Sequence, residues 1–203
     1  MSKDITIPAT EQVEEKDTSV FKQDLHGTTH SSSIEPSKLT PFQRVILTAD
    51  GTLTEILEAY LSEKLHVVKL FEGIISITQD ITLLDIQAGR EIIERKILLQ
   101  GKESGCNLLY AESIIVPDRL EEKFREKLLN SEIPMGKLWV EHKLETFKEI
   151  ITSSQEPARG LSDYFKIKKA DQLLCRTYRV FSNRQPIMMI TEKFPKDLFQ
   201  NMQ

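Results

Sequence analysis

Hydrophobic residues recur every three to four positions in LTPFQRVILTADGTLTEILEAYL, residues 39–61. This spacing predicts two amphipathic helices separated by the sequence TADGT. Thr40 followed by Pro41 is typical of a helix start, and either Asp50 or Thr52 can cap the second helix. We therefore expect a pair of short helices before the first long strand.

After residue 64 the period of the pattern changes from 3.6 to 2, which predicts strands. The strand segments are LHVVKLFEG, IISITQD, REIIERKILLQG, NLLYAESIIVP, QLLCRTYRVF and IMMITEKFP. The sequences GKESG and SNRQP are turn signals, so we expect two hairpins. DRLEEKFREKLL predicts a helix capped by Asp118, IPMGKLW predicts a loop, and HKLETFKEIIT fits a strand better than a helix. Tight turns between successive strands predict an α+β fold, a mainly antiparallel sheet flanked by helices.

Four predicted strands carry a charged residue inside an apolar row. Arg95 lies in a row of isoleucine and leucine side chains, and Glu192, Glu112 and Arg176 interrupt similar rows. An isolated buried charge costs roughly several kcal/mol, so these groups either pair with one another or face a ligand cavity. In a cavity, an Arg can bind a carboxylate through two parallel hydrogen bonds, and a Glu can handle a proton or a hydroxyl group.

Composition divides the chain into an acidic tail, residues 1–37, and one domain, residues 38–203. The tail is rich in Ser, Thr and Glu with scattered apolar residues, which predicts disorder. His26 and His30 lie in it without the ligand spacing of a metal site. The tail contains three Lys and seven Asp or Glu; with 27 basic and 31 acidic residues in total, the domain has 24 of each.

This balance of charge argues against a nucleic-acid-binding surface, which normally carries a basic stripe. No apolar run approaches the roughly 18 residues of a membrane span. The N-terminus lacks a signal-peptide pattern, and Cys106 and Cys175 are expected to be free thiols of a cytoplasmic protein. We expect no metal site, because His66 and His142 have no partner at ligand spacing.

The order and spacing of several segments resemble the chorismate pyruvate-lyase (4-hydroxybenzoate synthase) family. These segments are LTPFQRVILTADGTLTEILEAYL, ERKILLQG, LLYAESIIVP, IPMGKLW, LETFKEI and MMITEKFP, and together they span residues 38–199. The chain is most similar to a branch of the family other than the ubiquinone-pathway enzymes. The resemblance implies a buried ligand cavity beneath helix–loop flaps. It also implies cleavage of chorismate to 4-hydroxybenzoate and pyruvate without a cofactor.

The resemblance also implies roles for particular residues. An Arg in the family's R-x-I-L-L strand binds a carboxylate, and that position is Arg95 here. A Glu in the final T-E-x-F pattern contacts the oxygen end of the ring, and that position is Glu192. We expect Arg95 to clamp the substrate and Glu192 to assist proton transfer as a protonated acid, a form that burial favours. The other predicted substrate-binding residues are Leu53, Glu112, Met135, Gly136 and Arg176.

The chain departs from the family pattern at two points. Ser113 stands where other members carry a second Arg, so Arg176 or Arg179 is a candidate to replace that cation. The stretch between Pro186 and Glu192 looks one residue longer, which suggests either a bulge or a misalignment.

A different class of protein has the same fold, namely the effector domains of transcriptional regulators, which bind small acids or sugars without turning them over. Those domains usually follow a DNA-binding winged helix, whereas an acidic tail precedes the domain here. The sequence leaves open the choice between 3- and 4-hydroxybenzoate and the oligomeric state. The use of the product, for which quinone biosynthesis is one candidate, also stays open.

Overall fold

The computed structural model of the chain describes residues 31, 32 and 34–199. Its centre is a seven-stranded sheet in the order β1-β5-β6-β7-β4-β3-β2. All neighbours are antiparallel except the two-residue strand β1, which runs parallel to β5. The predicted α+β class is therefore confirmed. The strands are β1 (Ser31–Ser32), β2 (Leu65–Ser76), β3 (Glu91–Gly101), β4 (Asn107–Ile115), β5 (Phe147–Pro157), β6 (Gln172–Ser182) and β7 (Gln185–Pro195).

Within residues 34–199, five α-helices connect or flank these strands. They are α1 (Pro41–Thr48), α2 (Leu53–Leu61), α3 (Glu122–Asn130), α4 (Met135–Glu141) and α5 (Ser162–Phe165). None of the helices within the described ranges has both the length and the apolar character needed to cross a membrane.

The predicted start of the first helix is confirmed. Thr40 accepts a hydrogen bond from the Gln43 backbone, and the Gln43 side chain accepts one from Thr40, which completes a capping box. Thr52 precedes α2 as predicted, although its side chain makes no capping hydrogen bond. The prediction for Asp118 is wrong, since a 3-10 turn (Pro117–Arg119) precedes α3, which begins only at Glu122.

Both predicted hairpins are present. The β6–β7 turn has positive φ at Asn183 and Arg184, the geometry of a two-residue type I′ loop. Val180 pairs with Met188 and Phe181 pairs with Pro186, so Ile187 is the extra residue of a bulge. A bulge therefore lies within the stretch before Glu192 that looks one residue longer than the family pattern.

Two segments differ from the prediction in type or extent. The stretch IPMGKLW, predicted as a loop, forms the start of α4 because residues 135–141 complete two helical turns after Pro134. The segment predicted as a strand at residues 142–152 forms β5, which continues to Pro157. The described part of the predicted tail contains β1 and a 3-10 turn (Pro36–Lys38), while residues 1–30 and 33, including both tail histidines, lie outside the described residues.

The main hydrophobic core lies on one face of the sheet, where α1, α2, α3 and α4 pack against the strands. Two smaller clusters lie elsewhere, one around Leu84 and Met189 and the other around Leu173 and Cys175. Both faces of the central strand β4 are covered, because eight of its nine residues are buried. The helix-covered face contains the charged residues of the candidate site.

Candidate functional site

A cavity lies between the helix-covered face of the sheet and the first turns of α2 and α4. It encloses about 650 Å³, including its opening to solvent, which is a size typical of small-molecule sites. All six long strands contribute to its wall, which is mostly apolar. Three charged side chains line it, and they are Arg95, Lys148 and Glu192.

Arg95 lies on β3, and only 2% of it is exposed. Its Nε lies 3.1 Å from Oε2 of Glu72, which is directly opposite on β2. Neither Nε nor Nη2 of Arg95 has a hydrogen-bond partner among the described residues. Burial lowers the pKa of Arg95 below its usual value, and the charge of Glu72 opposes this shift. A buried guanidinium with unused donors on a cavity wall is suited to bind a carboxylate.

Glu192 lies on β7 and accepts hydrogen bonds at both carboxylate oxygens. Arg176 Nε donates to Oε2 at 2.6 Å, and the Tyr178 hydroxyl donates to Oε1 at 2.9 Å. This arrangement is that of an ionised carboxylate, which replaces our expectation of a protonated acid. Each oxygen keeps a second lone pair. Glu192 can therefore still accept a proton or a hydrogen bond from a ligand in the cavity.

Arg176 binds the Glu192 carboxylate without lining the cavity itself. The side chain is 1% exposed and does not line the cavity, and its Nη1 donates to the carbonyls of Ile46 (2.5 Å) and Ala49 (2.9 Å). Burial is the largest single influence and opposes its charged form, but the charges of Glu192 and Tyr178 and the hydrogen bond to Glu192 together keep the pKa of Arg176 above its usual value. Arg176 therefore positions Glu192 and the end of α1, and the structure does not support its predicted contact with substrate.

Lys148 lies on β5 and was not among the predicted site residues. Its Nζ donates to the carbonyl of Gly51 at 2.8 Å and lies over the rings of Trp139 (5.0 Å) and Tyr178 (5.5 Å). Burial lowers the pKa of Lys148 to about 8. The strand segment that contains it alternates weakly, since most of β5 is only half-buried, so the sequence pattern did not indicate a cavity position.

The structure also corrects the prediction for Glu112. Ser113 lines the cavity from β4, so its neighbour Glu112 points to the other face of the sheet. There Glu112 accepts a hydrogen bond from the Tyr110 hydroxyl at 2.6 Å. Arg179 is likewise no candidate for a second cation, because it pairs with Glu149 and does not line the cavity.

The predicted covering residues Leu53, Met135 and Gly136 all line the cavity. Gly136 lies where the first turn of α4 approaches the start of α2. A Cβ atom added to Gly136 would overlap Cγ2 of Thr52. The absence of a side chain at residue 136 thus allows the two helices to meet over the cavity.

Replacing Gly136 with alanine is therefore expected to lower the free energy of unfolding by about 1–3 kcal/mol and to weaken ligand binding. Thermal unfolding measures the first effect. Gly160→Ala is the matched control, since an added Cβ there meets no atom within 4 Å. Combining Gly136→Ala with Thr52→Ser, which removes Cγ2, should restore stability. A double variant as unstable as Gly136→Ala alone would contradict this explanation.

Comparison with known proteins decides the family. The sequence model described as "Chorismate pyruvate-lyase Rv2949c-like" matches residues 47–202, which is most of the chain. The chain belongs to this family of chorismate pyruvate-lyases. The predicted resemblance, including the branch outside the ubiquinone-pathway enzymes, is confirmed.

Individual relatives agree with this assignment. The chain is 30% identical over 170 residues to the chorismate pyruvate-lyase of Mycobacterium leprae, covering 82% of this chain and 80% of that protein. It is 29% identical over 177 residues to the enzyme of the same name from Mycobacterium tuberculosis, covering 84% and 87%. Among solved structures, PhnF from Mycobacterium smegmatis is similar with a TM-score of 0.60 at 10% identity, covering 74% of this chain and 66% of PhnF. This last likeness concerns the fold alone.

Proposed function

We propose that the protein is a lyase that converts chorismate to 4-hydroxybenzoate and pyruvate in the cavity between the sheet and helices α2 and α4. The observation that carries this proposal is the pair of ionic groups on the cavity wall, Arg95 with unused donors and Glu192 as a held carboxylate. Family membership supports this choice of reaction, and the positions of the two groups support a separate task for each.

The reaction needs little covalent help from the protein. Chorismate carries a carboxylate on carbon 1 of a cyclohexadiene ring, an enolpyruvyl ether on carbon 3 and a hydroxyl on carbon 4. Loss of the hydrogen on carbon 4 and breakage of the bond between carbon 3 and the ether oxygen give an aromatic ring. The enolate of pyruvate leaves and takes up one proton, so atoms and charge balance. Because the step is downhill, orientation and electrostatics can supply most of the acceleration.

Arg95 binds the ring carboxylate in this proposal. Its side chain lines a mostly apolar cavity and has donors without a hydrogen-bond partner among the described residues, and a charge-assisted hydrogen bond is stronger there than in water. Glu72 keeps the guanidinium charge balanced before substrate arrives. Binding the carboxylate at Arg95 fixes the direction of the ring axis and sends the carbon 4 hydroxyl away from Arg95.

Glu192 acts at the far end of the ring. Its carboxylate accepts a hydrogen bond from the carbon 4 hydroxyl and serves as the base for the hydrogen that carbon 4 loses. Arg176 and Tyr178 hold both oxygens, so the carboxylate is oriented before substrate binds. The proton then passes to the departing enolate, which completes pyruvate.

A second candidate function is non-catalytic binding of a small acid in the same cavity. One assay separates the two. Purified protein is incubated with chorismate, and pyruvate is followed with lactate dehydrogenase while 4-hydroxybenzoate is followed by chromatography. The proposal predicts equal amounts of both products. Formation of 3-hydroxybenzoate would change the assignment of the product. If pyruvate did not rise above the uncatalysed background, non-catalytic binding would be the function that remains.

Trp139 provides an independent measure of binding. It is the single tryptophan of the chain, it lines the cavity, and its Nε1 has no hydrogen-bond partner among the described residues. Adding 4-hydroxybenzoate should therefore change the tryptophan emission excited at 295 nm in a saturable way. Unchanged emission, with binding detected by calorimetry, would place the ligand outside this cavity.

A further inference from the structure

Lys148 is the charged group of the cavity wall whose charge is least compensated. Arg95 lies 3.1 Å from a carboxylate oxygen of Glu72, and Glu192 lies 2.6 Å from Arg176. Within residues 34–199, no carboxylate oxygen lies within 4.0 Å of the Lys148 ammonium. A largely buried ammonium without an anionic partner is unfavourable, and an anion brought by a ligand would relieve that cost.

Among the described residues, the Lys148 ammonium donates one hydrogen bond. An ammonium group has three donors, and the carbonyl of Gly51 uses one of them at 2.8 Å. The aromatic rings of Trp139 and Tyr178 stabilise the charge from the sides without accepting a conventional hydrogen bond. Two donors therefore remain for a group in the cavity.

The order of the strands sets the positions of the three charged residues along the cavity wall. Arg95 and Lys148 lie four strands apart, on β3 and β5. Glu192 lies between them on β7, and its charge acts on Lys148. With the ring carboxylate on Arg95, carbon 4 points toward Glu192. Of the two positions that rotation about the ring axis gives the enolpyruvyl group on the adjacent carbon 3, one is on the side of Lys148.

We propose that the Lys148 ammonium binds the carboxylate of the enolpyruvyl group, so that the cavity selects cyclic acids that carry a second carboxylate. This inference rests on the proposed function, which it makes more specific. In this arrangement Lys148 also stabilises the negative charge that develops on the departing enolate. 4-Hydroxybenzoate lacks the second carboxylate and therefore depends little on Lys148.

A purely structural role is the main alternative. Lys148 joins β5 to Gly51 in the loop between α1 and α2, so its removal could loosen that loop. Such loosening would weaken binding of chorismate and 4-hydroxybenzoate alike. Direct contact with the enolpyruvyl carboxylate predicts a loss confined to the dianion, and a comparison of the two ligands separates these roles.

The charge of Lys148 also predicts a pH dependence. With a pKa of about 8, the ammonium form predominates at pH 7 and falls about tenfold by pH 9. The charged or titratable groups around it are Glu192 on β7, Arg176 and Tyr178 on β6, and Asp50 in the α1–α2 loop. The pKa values of Arg176 and Tyr178 are both raised, so neither loses its proton in this range. We therefore expect kcat/KM for chorismate to decline as pH rises through 8.

The test uses the full chain with Lys148→Met, Lys148→Arg and the control Lys193→Met. Lys193 is also a buried lysine of the sheet, but it does not line the cavity and pairs with Glu156. Lys148→Met should lower kcat/KM for chorismate by about 10- to 100-fold. It should change the calorimetric Kd of 4-hydroxybenzoate by less than about threefold. Lys148→Arg should keep part of the activity and lose the decline above pH 8.

The outcomes separate this inference from the proposed function. Equal losses for chorismate and 4-hydroxybenzoate, or no loss for either, would overturn the role of Lys148 while pyruvate release by the parent protein stands. A protein that releases no pyruvate would overturn the proposed function. In that case the calorimetric Kd of chorismate itself, compared between the parent protein and Lys148→Met, decides whether Lys148 binds the second carboxylate.

Discussion

Replacing Arg95 with methionine is expected to lower kcat/KM for chorismate by about 10³-fold or more, since the ring carboxylate loses its main anchor. This factor corresponds to about 4 kcal/mol of transition-state stabilisation, as expected for a bidentate ionic contact in an apolar cavity that also sets the orientation of the ring. The coupled pyruvate assay measures it. Arg95→Lys keeps the positive charge but lacks the planar, forked guanidinium. Its kcat/KM should therefore lie between those of the parent protein and Arg95→Met.

The fold should survive this substitution. Glu72, which faces Arg95, also lies 3.0 Å from the Lys69 ammonium, so removal of the guanidinium does not leave an unpaired buried carboxylate. Arg179→Met is the matched control, because Arg179 is an ion-paired Arg of the same sheet that does not line the cavity. Nearly full activity of Arg95→Met, or an equal loss in Arg179→Met, would contradict the assignment of Arg95.

Replacing Glu192 with glutamine is the second large effect that we expect. The amide keeps the shape of the side chain but cannot act as a base, so kcat should fall by about 10²- to 10⁴-fold with a much smaller change in KM. Stability should fall as well, by about 3 kcal/mol, because Arg176 stays buried without its anionic partner. Activity therefore has to be measured well below the lowered unfolding temperature, which thermal unfolding gives.

Glu112→Gln provides a close control for this experiment. Glu112 is a buried carboxylate of the same sheet that also accepts a hydrogen bond from a tyrosine hydroxyl, but it lies on the opposite face. We expect its activity to stay within about threefold of the parent protein. If Glu112→Gln lost as much activity as Glu192→Gln, a general loss of sheet integrity would explain both. If Glu192→Gln kept more than about a tenth of kcat, Glu192 would not be the base.

Strand alternation was enough to find the two central charges. Arg95 and Glu192 each interrupt an apolar row, and such interruptions need either an ion-pair partner or a cavity. Both explanations prove relevant, since each residue lines the cavity and each has an oppositely charged neighbour. The neighbour of Arg95, however, is Glu72 on β2, which was not among the predicted site residues.

The same reasoning failed where a strand is covered on both faces. Alternation shows which residues share a face but not which face carries the helices, and on β4 both rows are buried. Glu112 and Ser113 were therefore indistinguishable by burial, and only the packing of the helices assigns Ser113 to the cavity. Alternation placed Arg176 on the correct face of the sheet. Glu192 is directly opposite in the β6–β7 register, however, and the Arg176 side chain pairs with it instead of lining the cavity.

For related reasons, the sequence pattern predicted neither Lys148 as a cavity residue nor α4 as a helix. Among the described strands, the two-residue β1 is the one neighbour at the outer edge of β5, and β5 is mostly half-buried, so its pattern lacks the contrast that marks a core strand. The α4 segment contains Gly136 two residues after Pro134, a combination typical of loops, yet the helix forms because Leu138 and Trp139 bury against the core. Tertiary packing thus determines the position of Lys148 and the formation of α4, and local propensity predicts neither of them.

The most direct test of this account is a crystal structure of the protein with 4-hydroxybenzoate bound. We predict the carboxylate of the ligand within hydrogen-bond distance of the Arg95 guanidinium and its phenolic oxygen beside the Glu192 carboxylate, with the ring lying under Leu53 and Met135. A ligand bound in the reverse direction, or at a position outside the cavity between the sheet and helices α2 and α4, would contradict it.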